Sequence, residues 1–260
     1  MEPSWKTLGK SVIGTSHERL GESCQDYVHG ITLDVGKSSF LIAACADGAG
    51  SASHGALGAK VACLSFIRFV SECIRNGLSL PEINAQQMLH WYTRVRRALS
   101  LEAALRNLNL RDFACTLLGA IVGDDAVVFS QIGDGAIVYR DGDRFTTAFW
   151  PQSGEYANTT FFLTSPDFEE RLTFRSLCQR VDELALFTDG LQSLALHYAS
   201  HTVHTPFFEP MFDILCRSSN VDSLEEPLKQ FLKSKPIIDR TDDDKTLMLA
   251  TRRLLSDGVC

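Results

Sequence analysis

The sequence predicts an α+β domain built in layers rather than by regular alternation of strand and helix, and three observations carry that expectation. Short runs rich in Val, Ile and Leu, bounded by Gly and Asp, recur along the chain. One block, residues 53–110, changes to a spacing of three and four. No repeat, low-complexity tract or Pro/Gly-rich linker divides the 260 residues, so 1–260 reads as a single domain.

Taken in order, 11–16 and 40–46 read as strands. Leu57, Val61, Leu64, Ile67, Val70 and Ile74 form one apolar helical stripe, which Asn76-Gly77 can end. Pro81 is expected to open a second long helix reaching about Leu110. The stretches 115–122, 126–132, 136–139, 159–164, 184–187 and 246–250 read as strands. Shorter amphipathic helices fit 211–217 and 224–232.

Composition narrows the function. Apolar residues make up 45% and charged residues 22%, enough to bury a sizeable core. The N-terminus carries no basic stretch followed by an apolar run, and no apolar stretch is long enough to span a bilayer, so the reading is cytoplasmic, with no membrane partner. A net charge of −7 argues against nucleic acid. None of the eight cysteines forms a Cys-x-x-Cys pair; Cys45, Cys63 and Cys115 sit in apolar segments and read as reduced, buried thiols.

The informative pattern is a repeated one. Strand-like runs end in Asp47-Gly48, Asp134-Gly135 and Asp189-Gly190, and Asp242-Asp243-Asp244 precedes the last strand. A lone Asp-Gly is an ordinary turn signal, and Asp141-Gly142-Asp143, between Arg140 and Arg144, reads as a solvated hairpin tip. Several carboxylates gathered at one sheet edge would repel, and a bound dication removes that penalty. Oxygen ligands select hard ions such as magnesium or manganese. A pair of such ions can activate a water for in-line attack on phosphorus.

At these residues the chain resembles the bacterial type 2C, metal-dependent serine/threonine protein phosphatases. The motifs follow in order: Cys24-Gln25-Asp26, Ala46-Asp47-Gly48-Ala49-Gly50-Ser51 with Gly55, Ala114-Cys115-Thr116, Gly133-Asp134-Gly135, Thr188-Asp189-Gly190-Leu191 and Asp243-Asp244-Lys245-Thr246. The resemblance implies a β-sandwich of two antiparallel sheets flanked by helices, in α-β-β-α layers, with a flap around 150–168. It implies hydrolysis of phosphoserine and phosphothreonine in proteins by a dimetal-activated water, on substrates that are plausible targets of a serine/threonine kinase.

Carried over residue by residue, Asp47 would bridge two Mn2+ or Mg2+ ions, with Asp26 supporting it as a catalytic residue. Asp189 and Asp243 would complete one site. The Gly48 carbonyl, with Asp26, would complete the other, and Asp134 would serve a weaker third ion. Asp242 and Asp244, alternating with Asp243, would face away and be dispensable.

The chain also departs from the family. Gly21 stands where an arginine holds the substrate phosphate, so His17 or Arg19 is the candidate replacement. Ala49 occupies the position of a proposed general acid, with His54 nearby. A non-catalytic signalling module keeping the fold is the rival reading. A calcium loop at 239–244 and a zinc site at His197, His201 and His204 are further, weaker alternatives.

Overall fold

The computed structural model describes residues 4–152 and 160–253. The chain opens with β1 (Lys6–Val12), α1 (Thr15–Leu20), β2 (Tyr27–Val35) and β3 (Ser38–Ala46). Two long helices follow, α2 (Gly55–Arg75) and α3 (Ala85–Leu105), then β4 (Leu117–Val122), β5 (Val127–Ile132), β6 (Ala136–Asp141) and β7 (Arg144–Thr147). Next come α4 (Phe168–Arg171), β8 (Thr173–Leu177), β9 (Glu183–Phe187), α5 (Gln192–Ala195), β10 (Leu196–His197) and β11 (Thr202–Val203). The chain closes with α6 (Thr205–Arg217), α7 (Glu225–Leu232), α8 (Lys235–Ile238) and β12 (Lys245–Thr251).

Two five-stranded antiparallel sheets result, ordered β1-β12-β9-β6-β7 and β2-β3-β4-β5-β8. Between them Leu41, Ala43 and Cys45 of β3 meet Leu184 and Leu186 of β9 and Met248 and Ala250 of β12. The alternate residues Ile42, Ala44 and Ala46 face outward onto Phe66 and Val70 of α2 and Trp91 and Val95 of α3. Ala185, Phe187, Leu247 and Leu249 face the other way, onto Phe208, Phe212, Leu228 and Leu232 of α6 and α7. The central strands are therefore buried on both faces, which is why they read as unbroken apolar runs and not as alternating ones. The expected α-β-β-α sandwich is the observed one.

Several boundaries differ from the sequence expectation. The strand read at 11–16 ends at Val12, because the Asp244 carboxylate takes the Gly14 N–H at 2.6 Å and the Asp242 carbonyl takes the Ser16 N–H at 2.9 Å. Those bonds turn the chain into α1. Pro81 lies in a separate 3-10 turn, and α3 starts only at Asn84, whose side chain accepts the Gln87 N–H at 2.9 Å. The helix stops at Leu105 and not near Leu110, with Asn107 in the left-handed region at φ 56°.

Residues 160–164 form no strand. Their order comes from single bonds such as Leu163 N–H to the Cys115 carbonyl at 2.8 Å. The flap expected around 150–168 lies partly outside the described residues, as does its Gly154–Asn158 centre. The control hairpin holds: Asp141 pairs with Arg144 across the β6–β7 turn. Among the described residues no helix is long and apolar enough to cross a membrane.

Candidate functional site

Strand register brings the acids together. Tyr27 opposes Ala46 in the β2–β3 ladder, so Asp26, just before β2, and Asp47, just after β3, emerge side by side. Phe187 opposes both Ala136 and Leu247, so the chain leaving β9 at Asp189 meets Asp134, before β6, and Asp243, before β12. All five carboxylates share one end of the sandwich. Asp47, Asp134 and Asp189 each offer an oxygen within 4.8 Å of the others.

Three threonines fix this geometry. The Asp47 N–H donates to the Thr116 hydroxyl at 2.9 Å, and the Thr116 N–H returns to the Asp47 carbonyl at 2.8 Å. Thr188 and Thr246 both donate their hydroxyls to Oδ2 of Asp26, each at 2.7 Å. That leaves Oδ1 of Asp26 buried without a partner.

The glycines after the aspartates serve close approach, and neither Gly48 nor Gly190 needs a positive φ. A Cβ on Gly48 would stand 2.4 Å from the Gly55 backbone, and one on Gly190 2.0 Å from the Asp244 carbonyl oxygen. With its amide oriented to satisfy its neighbours, Gln25 donates to the Gly48 carbonyl at 3.3 Å, leaving a second lone pair on that oxygen.

Asp134, expected to serve a weaker third ion, offers an oxygen to the same trio as Asp47 and Asp189. Its Oδ2 accepts the Thr160 hydroxyl at 2.6 Å, its Oδ1 is buried and unpartnered, and its carbonyl accepts the Gln192 amide. Asp243 stands outside the trio and accepts the Asp244 N–H at 2.7 Å.

The electrostatics are those of an anion cluster lacking a counter-charge. Burial pushes Asp26 up to about 7, although the two threonine hydroxyls favour its ionised form. Burial, then the charges of Asp134, Asp243 and Asp26, raise Asp189 to about 8. Burial, followed by Asp26, Asp189 and Asp243, holds Asp47 well above the carboxylate range. Burial likewise raises Asp134 and Asp243. Among the described residues none of the five forms an ion pair. The nearby Lys245 ammonium donates to the Asp243 backbone carbonyl at 2.9 Å and forms no ion pair with the five carboxylates among the described residues. An all-oxygen donor set with two orphaned buried oxygens fits a hard dication.

The phosphate-holding candidates divide. Arg19 is exposed on α1. His17 is half-buried, with Nδ1 3.0 Å from Oδ1 of Asp244 and Nε2 3.7 Å from Glu22. Burial alone would lower its pKa, but Asp244, Asp243 and Glu22 outweigh that and raise it. Gly21, at the arginine position, caps α1 at φ 70°, a conformation that a side chain there would strain.

Asp244, expected to face away and be dispensable, is not idle. Its carboxylate also takes the N–H groups of Gly14 and Gln25, both at 2.6 Å, and its side chain is 2% exposed. His54 caps the start of α2 and stacks on Phe113. The three histidines do not converge. His197 lies against His204, whose Nδ1 is 2.9 Å from the Leu194 carbonyl, and His201 lies against Trp150. The roles of the three threonines are not stated by spacing: Thr188 adjoins Asp189 and Thr246 closes the Asp243-Asp244-Lys245-Thr246 motif, whereas Thr116 lies in a motif with no aspartate.

A model of the protein phosphatase 2C family matches residues 13–233. "Serine/threonine-protein phosphatase 3" of Escherichia coli (strain K12) is 39% identical over 251 residues, covering 95% of this chain and 98% of the relative. Among solved structures, serine/threonine phosphatase Stp1 from Staphylococcus aureus superposes with a TM-score of 0.60 at 15% identity, covering 96% of this chain and 97% of that one. The catalytic domain of serine threonine protein phosphatase PstP, solved with two manganese ions, gives 0.60 at 15% identity, with 95% and 97% covered. These two likenesses concern the fold.

Proposed function

This chain belongs to the protein phosphatase 2C family, and on that premise we propose that it hydrolyses phosphoserine and phosphothreonine in proteins, with divalent cations held by its strand-end aspartates. The observation that carries the reading is the trio Asp47, Asp134 and Asp189, whose oxygens lie within 4.8 Å of one another and which no protein cation neutralises. Asp47 would be central, with Asp189 and Asp243 completing one site and the Gly48 carbonyl and Asp26 the other. Two ions, manganese or magnesium, are the expected complement, and Asp134 would serve a weaker third. When bound, such ions supply Lewis acidity and a water acidic enough to attack phosphorus near neutral pH.

The protein's own part is to hold that cluster. Thr116 fixes the Asp47 backbone, and Thr188 and Thr246 keep Asp26 aimed with one free oxygen. His17, tethered to Asp244, is the better candidate than Arg19 for contacting substrate phosphate. We read 1–260 as one catalytic domain and its substrates as proteins phosphorylated by a serine/threonine kinase. The seven cysteines described are all free, which suits a reducing, cytoplasmic setting.

The left-handed Gly21 at the arginine position favours the rival, a non-catalytic signalling module. One assay separates the two: hydrolysis of a phosphothreonine peptide with manganese, magnesium, calcium or excess chelator. Turnover with manganese or magnesium that chelator abolishes supports the phosphatase. No turnover by a folded, metal-binding protein supports the module.

A further inference from the structure

Beside the acid cluster stands a small unit that neither sheet needs. β10 and β11 form a separate two-stranded hairpin, and the turn between them carries Tyr198 and His201. Tyr198 remains 48% exposed, with its ring edge-on to Trp150 at 5.3 Å. His201 lies across the same tryptophan at 4.6 Å, with its backbone in the left-handed region at φ 52°. Two hydrogen bonds link this unit to the centre: the Tyr198 hydroxyl donates to Oε1 of Gln192, and the Gln192 amide donates to the Asp134 carbonyl.

Resting on the phosphatase reading, we propose that Tyr198, Trp150 and His201 form a ledge on which a protein substrate lays the residues flanking its phosphorylated side chain. The ledge lies two hydrogen bonds from Asp134, so a chain whose phosphoryl group reaches the trio must pass close to it. Half-exposed Tyr and Trp offer rigid apolar area with little side-chain entropy to lose, which is why such rings dominate peptide recognition. The ledge therefore distinguishes peptide substrates from small phosphate esters, which would touch only the acid cluster.

The test compares a phosphothreonine hexapeptide with p-nitrophenyl phosphate at saturating manganese. In Tyr198→Ala the peptide-to-ester ratio of kcat/KM should fall about tenfold, mostly through peptide KM, as loss of one aromatic anchor implies. Trp150→Ala should move the ratio the same way, and Tyr198→Phe, which keeps the ring, should hold it within about twofold of wild type. The manganese-induced rise in Tm should be the same in Tyr198→Ala as in wild type. An unmoved ratio in active Tyr198→Ala protein overturns the ledge alone. A lost manganese response also overturns it, since Tyr198 would then only brace the centre through Gln192. Absence of hydrolysis of both substrates by the wild-type protein would remove the phosphatase reading, and the ledge with it.

Discussion

Glu183 begins β9 and Asp189 follows its end, and the two acids meet opposite surroundings. Glu183 is fully buried between the guanidinium of Arg140 and that of Arg253, the latter 3.0 Å away. Nearby, Arg252 is 3% exposed, contacts Asp182 at 3.0 Å and Asp124 at 3.4 Å, donates to the Gly123 carbonyl at 2.7 Å and lies over the Trp5 ring. At the other end Asp189 joins four more buried or part-buried carboxylates, and none of the five is ion-paired among the described residues. Around Glu183 the chain encodes the arginines that neutralise the acid. Where none is encoded, the missing charge is expected from solution.

The comparison can be broken at either end. Arg252→Ala removes a buried guanidinium and strands the Gly123 and Val181 carbonyls, so it should cost about 1–3 kcal/mol of stability in urea titrations while the manganese-induced rise in Tm persists. Loss of that rise as well would mean that the ends are not separable. Asp47→Asn should do the reverse: activity falls at least about a hundredfold, while the metal-free protein melts no lower than wild type, because a repelling charge has gone. A metal-free variant that melts clearly lower would show that Asp47 serves the fold.

Asp244→Ala leaves two buried N–H groups without an acceptor and should cost about 1–3 kcal/mol. Asp243→Ala should lose activity and metal affinity with little loss of metal-free stability. Asp242→Ala should stay within about 0.5 kcal/mol of wild type and keep its activity. Parallel melting and rate measurements on the three variants distinguish these roles; identical behaviour would reduce the triplet to a solvated turn.

The pH response sharpens the contrast further. Asp26 and Asp189 are raised above their unfolded values, so in chelator their stabilising contribution is complete below the ordinary carboxylate range. It is lost as pH rises through about 7 and about 8. Metal-free Tm should therefore drop by a few degrees over that interval, and saturating magnesium should flatten the drop. A flat profile in chelator would contradict the buried, like-charged arrangement.

Much of this end of the molecule was legible in the sequence, because β3, β5 and β9 are buried on both faces and announce themselves as apolar runs stopping at Asp. β2 and β8 did not announce themselves. The first is broken by Gly30 and Asp34, the second carries Arg175, and both are sheet edges, where the apolar signal thins. The site's acids were recognisable by type and order, but their grouping was not. Asp134 joins the central trio through ladder register, and Asp244 becomes a structural clamp because Gly14 and Gln25 approach it from more than two hundred residues away. One-dimensional spacing contains neither fact.

The hydroxyls that hold Asp26 come from residues 162 and 220 positions further along the chain. No short segment, and neither sheet alone, contains the ligand set. The centre therefore forms only when both sheets are docked, late in a folding reaction dominated by distant contacts. Cations that bind only this finished arrangement should leave the folding rate nearly untouched and slow unfolding instead. In stopped-flow refolding, manganese would then lengthen the lifetime of the native state without hastening its arrival.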